Sequence, residues 1–163
     1  MKPNPPPKLG HAITPHLWFA TQVVEASKYR VSVFPKSKLK KFTTIRDTPS
    51  DDCEVVAFDL AGQPFMAISA GPLFKFNKAI PFIIRRDTQE EVDYYWEKLS
   101  ADPKAEQCGW CKERFGVSWQ VTPALMDKKM AKGTKDQISR VSRAFLSMKK
   151  FDIVALKRAY ADG

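Results

Sequence analysis

Gly62-Gln63-Pro64-Phe65-Met66-Ala67 and Gly116-Val117-Ser118-Trp119-Gln120-Val121 decide how this chain folds. Each block places a turn glycine three residues before an aromatic, and each opens the last strand of its half of the chain. Working outward from the first block, residues 13–20 read as a strand with a dense apolar centre. Thr21 then caps a helix whose apolar positions are Val24, Ala26, Val31 and Phe34, and Pro35 ends it. Residues 39–46, 53–60 and 63–70 follow as three β-like segments, the last two joined by the tight turn Ala61-Gly62. Ahead of the second block, residues 79–86 read as a strand. Thr88-Gln89-Glu90-Glu91 is a capping box that starts a helix with Val92, Tyr95, Trp96 and Leu99 on its inner face. Asp102-Pro103 turns the chain, and residues 105–111 and 117–123 are the next strands. The second half therefore reads as a copy of the first; the plainer alternative is two hairpins that share a glycine turn and an aromatic by coincidence.

Both ends of the chain depart from this pattern. Residues 1–12 are rich in proline and hold little that can pack, which predicts a disordered or strap-like arm. Residues 124–163 form a helical extension. In it Thr134-Lys135-Asp136-Gln137 is a second capping box, followed by Ile138, Val141, Phe145 and Met148 at helical spacing. Asp152 caps a last helix with Ile153, Leu156 and Tyr160 turned inward. These helices are expected to pack on the sheet or on a partner subunit.

Composition bounds the function. The 163 residues carry a formal net charge of +9, with 44% hydrophobic and 12% aromatic residues, enough to build a real core. Divided by segment, residues 1–50 hold +7, residues 51–123 hold −4 and residues 124–163 hold +6. An acidic centre argues against a nucleic-acid groove through the middle of the fold. The seven glycines are never closer than seven positions apart. That spacing excludes the GxGxxG and P-loop phosphate cradles, the G-x-S-x-G hydrolase elbow, and the glycine-rich turn of most S-adenosylmethionine-dependent methyltransferases. No stretch is long and apolar enough for a membrane helix, and the N-terminus lacks the apolar centre of a secretory signal, so a cytoplasmic location is the expectation. Three cysteines fit that compartment better than a disulfide scaffold.

Several ordered blocks over residues 13–160 carry a resemblance. They include Trp18-Phe19, Val33-Phe34-Pro35, the two glycine blocks, Phe74-Lys75-Phe76-Asn77, Tyr95-Trp96-Glu97-Lys98-Leu99, Gln107-Cys108-Gly109-Trp110 and Met148-Lys149-Lys150. Together they resemble the PhnB-like branch of the glyoxalase/bleomycin-resistance/dioxygenase (vicinal oxygen chelate) superfamily. The resemblance implies an α+β fold of two βαβββ modules, about residues 13–70 and 79–123, forming a cup-shaped sheet that holds a ligand or a metal. It also implies a homodimer. Members of this branch often carry the automatic name 3-demethylubiquinone-9 3-methyltransferase, a label the glycine spacing does not support.

The resemblance also sets out positions to compare. In metal-using members, His and Glu or Gln on the first and last strands converge on a divalent ion. Here those positions hold His16, Met66, no donor around Pro81 and Phe82, and Gln120. One imidazole and one neutral amide are a poor offer to such a cation, so no tightly bound catalytic metal and no cofactor are expected, a weak divalent ion at His16 and Gln120 being the residual possibility. His16 is the candidate general base. Trp18, Met66, Phe82, Trp110, Trp119 and Gln120 would line a cup suited to a small apolar or aromatic molecule, or else simply fill a packed interior. Phe74, Phe76 and Asn77, between the modules, would roof the cup and hydrogen-bond its ligand, or else pin a linker. Cys108-Gly109-Trp110-Cys111 has the spacing of a redox or zinc motif, but strand alternation would send the two thiols to opposite faces, which favours incidental cysteines. The basic runs Lys36-Ser37-Lys38-Leu39-Lys40-Lys41 and Lys128-Lys129-Met130-Ala131-Lys132 lack a recognition helix and read as solvated faces, with nucleic acid a distant alternative.

Overall fold

The computed structural model describes residues 13–161. The expected arm over residues 1–12 lies outside the described residues. The chain divides into two compact units, residues 1–75 and 76–163.

The first unit runs β1 (His16–Phe19), α1 (Val23–Val33), β2 (Lys38–Thr48), β3 (Asp51–Leu60) and β4 (Gln63–Ser69). Its sheet has the order β1-β4-β3-β2, with β1 parallel to β4 and the other pairs antiparallel. This is the expected βαβββ module. The β3–β4 turn needs two residues in the left-handed region, and Ala61 (φ 48°) and Gly62 (φ 87°) supply them. Alternation sends Leu17, Phe19, Val56, Phe58, Phe65 and Ala67, all buried, to one face of the sheet. Phe58 and Phe65 stack there at 5.6 Å between ring centroids.

Two details of α1 differ from the sequence reading. The buried stripe is Val23, Ala26, Ser27, Arg30 and Val33, so Val24 and Val31 are only half-buried. A stripe that contains Ser and Arg hides its amphipathic character from any hydrophobic pattern. Arg30 is nonetheless fully buried, with its guanidinium 5.0 Å from the centre of the Phe19 ring. Nor does Thr21 cap the helix. The N-cap position is Gln22, in the left-handed region with no side-chain cap, and the Val23 N–H donates to Ser69 Oγ on β4 at 3.1 Å. The cap comes from a residue 46 positions away that only the fold brings near.

The second unit runs β5 (Phe82–Arg86), α2 (Gln89–Leu99), β6 (Trp110–Lys112), β7 (Ser118–Pro123), α3 (Leu125–Lys132), α4 (Lys135–Leu146) and α5 (Ile153–Ala161). Its sheet has three strands in the order β5-β7-β6, with β5 parallel to β7. The capping box at Thr88 is formed, and Val92, Tyr95 and Leu99 are buried as expected. Among the described residues the second unit is a βαββ arrangement, one strand short of the first module, and the strand expected over 105–111 is shortened to Trp110–Lys112. Pro103–Ala105 is a 3-10 turn whose start is held by Asp102 accepting from the Lys104 N–H. Cys108 (φ 50°) and Gly109 (φ 78°) then curl the backbone. Gln107 and Trp110 close that curl with reciprocal backbone hydrogen bonds of 3.2 and 2.8 Å, leaving β6 only three residues.

The C-terminal segment is bonded to the curl ahead of β6. The Cys108 and Gly109 N–H groups donate to the carbonyls of Met148 and Lys149 at 2.8 and 2.7 Å. Gln107 Nε2 donates to the Leu146 carbonyl at 2.8 Å. Gln89 in α2 clasps the same strap with both ends of its amide, Nε2 donating to the Phe151 carbonyl (3.1 Å) and Oε1 accepting from the Ile153 N–H (2.8 Å). The capping box at Thr134 and the Asp152 cap are both present. Met126, Val141, Phe151 and Leu156 form the buried centre of this extension, with Phe145 and Tyr160 packed around them. The apolar face of α4 is thus covered in part within its own chain, at Val141 and Phe145, while Leu146 stays exposed. The helix α3 was not anticipated, because its lysines read as a charge run.

Replacing Ser69 with Ala should therefore lower stability by about 1 kcal/mol, the usual worth of an N-cap side chain. Thr21→Ala should leave the urea midpoint nearly unchanged, reversing the order that the sequence alone suggests.

Candidate functional site

The second unit contains a cleft of about 240 Å³ lined by Ile83, Arg85, Cys108, Gln120, Thr122, Met126, Asp127, Met130, Phe145 and Phe151. Strand register explains one wall. Ile83 pairs with Gln120 and Arg85 with Thr122, so these four share a face of the sheet. The opposite wall comes from the extension, with Met126 and Met130 on α3, Phe145 at the end of α4 and Phe151 on the strap. Gln120 Nε2 donates to the Cys108 carbonyl at 3.3 Å, which leaves the amide oxygen and one N–H to offer a ligand. At the rim, Arg85 Nε donates to Asp127 Oδ2 at 2.6 Å, so the two charges offset one another. The result is a mostly apolar recess with an amide, a hydroxyl and a thiol.

The other sequence candidates separate into groups. Trp119, 3% exposed, and Phe82 lie on the face opposite Gln120 and meet at 5.3 Å between ring centroids. They belong to the core beneath α2, which corrects the expectation that they line the same recess as Gln120. Trp110 is paired with Gln120 in register and is half-buried. Phe76 rests against Gly116, where an added Cβ would sit 3.5 Å from its ring. Asn77 Oδ1 accepts from the Ala79 N–H at 2.8 Å, so this oxygen shapes its own turn.

In the first unit, His16 pairs with Met66 across the parallel β1–β4 contact, and Trp18 lies two residues further along the same face. Trp18 Nε1 donates to the Gly71 carbonyl at 2.9 Å, and Phe74 packs edge-on against the indole at 5.0 Å. His16, Trp18, Met66 and Phe74 are thus brought together. No carboxylate hydrogen-bonds the His16 ring among the described residues, so nothing orients it as a base.

Among the described residues the strand neighbours of His16 and Gln120 add no donors of the kind metal-using members carry. The strand neighbour of His16 is Met66, and those of Gln120 are Ile83 and Trp110. Among the described residues no three His, Cys, Asp or Glu side chains converge. A hard divalent ion needs several oxygen or imidazole donors, and thioether, isoleucine and indole are not such donors.

Sequence reasoning missed Ile83, Arg85, Thr122, Met126, Asp127, Met130 and Phe151 as lining residues. Thr122 could have been found two residues after Gln120 on a strand. Phe145 was placed on an inner helix face but assigned to packing. The rest follow only from where the extension folds back.

Cys111 is buried, and burial, followed by Glu106 and Glu113, pushes its thiol up to about 12. All three cysteines are free. A thiol so far from ionising is no redox partner for Cys108.

The family profile described as 3-demethylubiquinone-9 3-methyltransferase matches residues 11–122. Among solved structures, a PhnB protein from Bacillus cereus is 27% identical with a TM-score of 0.58. The match spans 70% of this chain and all of the other. A Pseudomonas aeruginosa protein is 18% identical with a TM-score of 0.54, over 68% of this chain and 96% of its own. No curated protein matches.

Two measurements check this description. At pH 8, iodoacetamide should modify half-exposed Cys108 in the folded protein and reach Cys111 only after unfolding. The strap is further held by Lys150, whose ammonium lies 2.5 Å from Asp93 Oδ1. Hydrogen bonds from Lys150 and then Gln89 hold the Asp93 carboxyl below its ordinary value. A depressed carboxyl contributes stability above its unfolded pKa of about 4 and loses it as pH falls through the folded value. Asp93→Asn should therefore have a lower urea midpoint than wild type at pH 7, and the two should converge as the pH falls through the folded value of Asp93.

Proposed function

Because the chain belongs to the 3-demethylubiquinone-9 3-methyltransferase (PhnB-like) family and has the α+β glyoxalase/bleomycin-resistance fold, we propose that it binds a small organic molecule on the sheet face that carries Gln120. The observation that supports this reading is the recess itself: an apolar cleft of about 240 Å³ with a few polar groups on its wall, the usual make-up of a small-molecule site. His16, Trp18, Met66 and Phe74 are the corresponding candidates on the first unit.

Binding without turnover is the form of the proposal that the chemistry favours. The titratable groups of the cleft are Cys108 and the mutually paired Arg85 and Asp127, and none is poised as a general base. Methyl transfer, the activity in the family's name, gains no support from the glycine spacing. A homodimer remains part of the proposal and rests on the resemblance, since Val141 at the centre of the apolar face of α4 is already buried within the chain. Light scattering at the mass of one chain would remove it. Among the described residues no helix is long and apolar enough to cross a membrane.

A thermal-shift screen of small organic molecules on metal-analysed protein tests the proposal. Stabilising ligands should raise the Tm by roughly 3–6 °C at tenfold excess over Kd, and Gln120→Ala should reduce that rise. If ligands stabilise wild type, Gln120→Ala and His16→Ala equally, neither residue belongs to the site.

A further inference from the structure

We infer that the C-terminal extension is the specificity element of this cleft, converting an open sheet face into a site for a small uncharged molecule with an apolar body and one hydrogen-bonding group. The inference rests on the binding reading above and adds the class of ligand and the residues that select it.

The family match ends at residue 122, and α3 begins at Leu125. The sheet-borne wall, Ile83, Arg85, Gln120 and Thr122, therefore lies within the matched portion, whereas Met126, Asp127, Met130, Phe145 and Phe151 lie beyond it. Half of the cleft is built from residues that the family profile does not describe.

The two parts of that added wall differ mechanically. Phe151 is fixed: Gln89 holds the backbone on both sides of it, and its ring sits where a Cβ on Gly109 would come within 2.5 Å. It acts as a rigid aromatic stop. Met126 and Met130 are unbranched thioethers on α3, able to reshape around different apolar bodies. Met130 is 36% exposed and stands at the mouth. The size limit is therefore set by Phe151 at the back, while α3 adjusts at the front.

Charge selects as well. Among the described residues that line the cleft Arg85 is the one cation, and Asp127 from the extension lies against it. An anionic ligand would meet that carboxylate, and a cationic one would find its counter-ion already engaged. The amide oxygen of Gln120 and the hydroxyl of Thr122 remain to accept a hydrogen bond from a neutral hydroxyl or N–H.

The test uses the full chain and three probes: p-cresol, indole and the anion 4-methylbenzoate. Titration calorimetry should show saturable binding of the two neutral probes and at least tenfold weaker binding of 4-methylbenzoate. Met130→Trp fills the mouth from an exposed position and should weaken indole binding at least tenfold with an unchanged urea midpoint. Asp127→Asn should narrow the gap between p-cresol and 4-methylbenzoate. If the neutral probes bind and Met130→Trp leaves them unaffected, the extension does not select and the inference is overturned while the binding reading stands. Equal affinity for 4-methylbenzoate overturns the ligand class. Absence of saturable binding by every probe overturns the inference together with the binding reading beneath it. Should the tryptophan variant lose stability, NMR shifts on adding p-cresol to wild type decide: perturbation at Phe145 and Phe151 supports the inference, and perturbation elsewhere alone overturns it.

Discussion

The second unit depends on one close approach, the ring of Phe151 against the backbone of Gly109. An added Cβ at Gly109 would lie 2.5 Å from Phe151 Cε2 and 2.7 Å from the Val121 carbonyl oxygen. Only glycine admits the strap at this distance, and its φ of 78° is one that side-chain-bearing residues rarely adopt. That seat lets the Cys108 and Gly109 N–H groups find the carbonyls of Met148 and Lys149. Those bonds tie the strap to the curl ahead of β6, place Phe151 at the back of the cleft, and bring α4 and α5 over the same buried centre. The strap thus satisfies two backbone N–H groups of the curl that would otherwise lack a partner within the sheet.

What the sequence made legible follows from how local each signal is. The capping boxes at Thr88 and Thr134, the Ala61-Gly62 turn and the alternation of β3 and β4 all act within a few residues, and each forms as read. Signals that depend on tertiary neighbours are not legible locally. Arg30 looks like a surface residue until Phe19 stands beneath it. Ser69 looks like a strand residue until α1 begins beside it. The stretch 105–111 holds apolar and β-forming residues, but Pro103 and Gly109 govern its backbone. At the site, Gln120 was found because it sits at a position the family marks. Its neighbours from the extension were not, because nothing local says which sheet face the helices will cover.

The basic excess belongs to surfaces apart from the cleft. Edge strand β2 carries Lys38, Lys40, Lys41 and Arg46, and Lys40 is paired with Asp59 at 2.7 Å. Lysine on an exposed edge discourages pairing with a foreign strand. On α3, Lys129 stands 3.5 Å from the centre of the Tyr160 ring, so part of that charge run serves packing within the extension.

The strap also sets a timetable. In the first unit the last long-range backbone bond, from the Gly71 N–H to the Ala20 carbonyl, becomes available once about the first 71 residues have been made. In the second, the Gln89 clasp waits for Ile153, 64 residues further on. At typical synthesis rates of about 5–20 residues per second, the face bearing Gln120 waits roughly 1.5–6 seconds after its strands exist for the clasp that completes its cover. During that interval the nascent chain presents bare apolar surface, and the ribosome and folding helpers meet a half-built site before any ligand can.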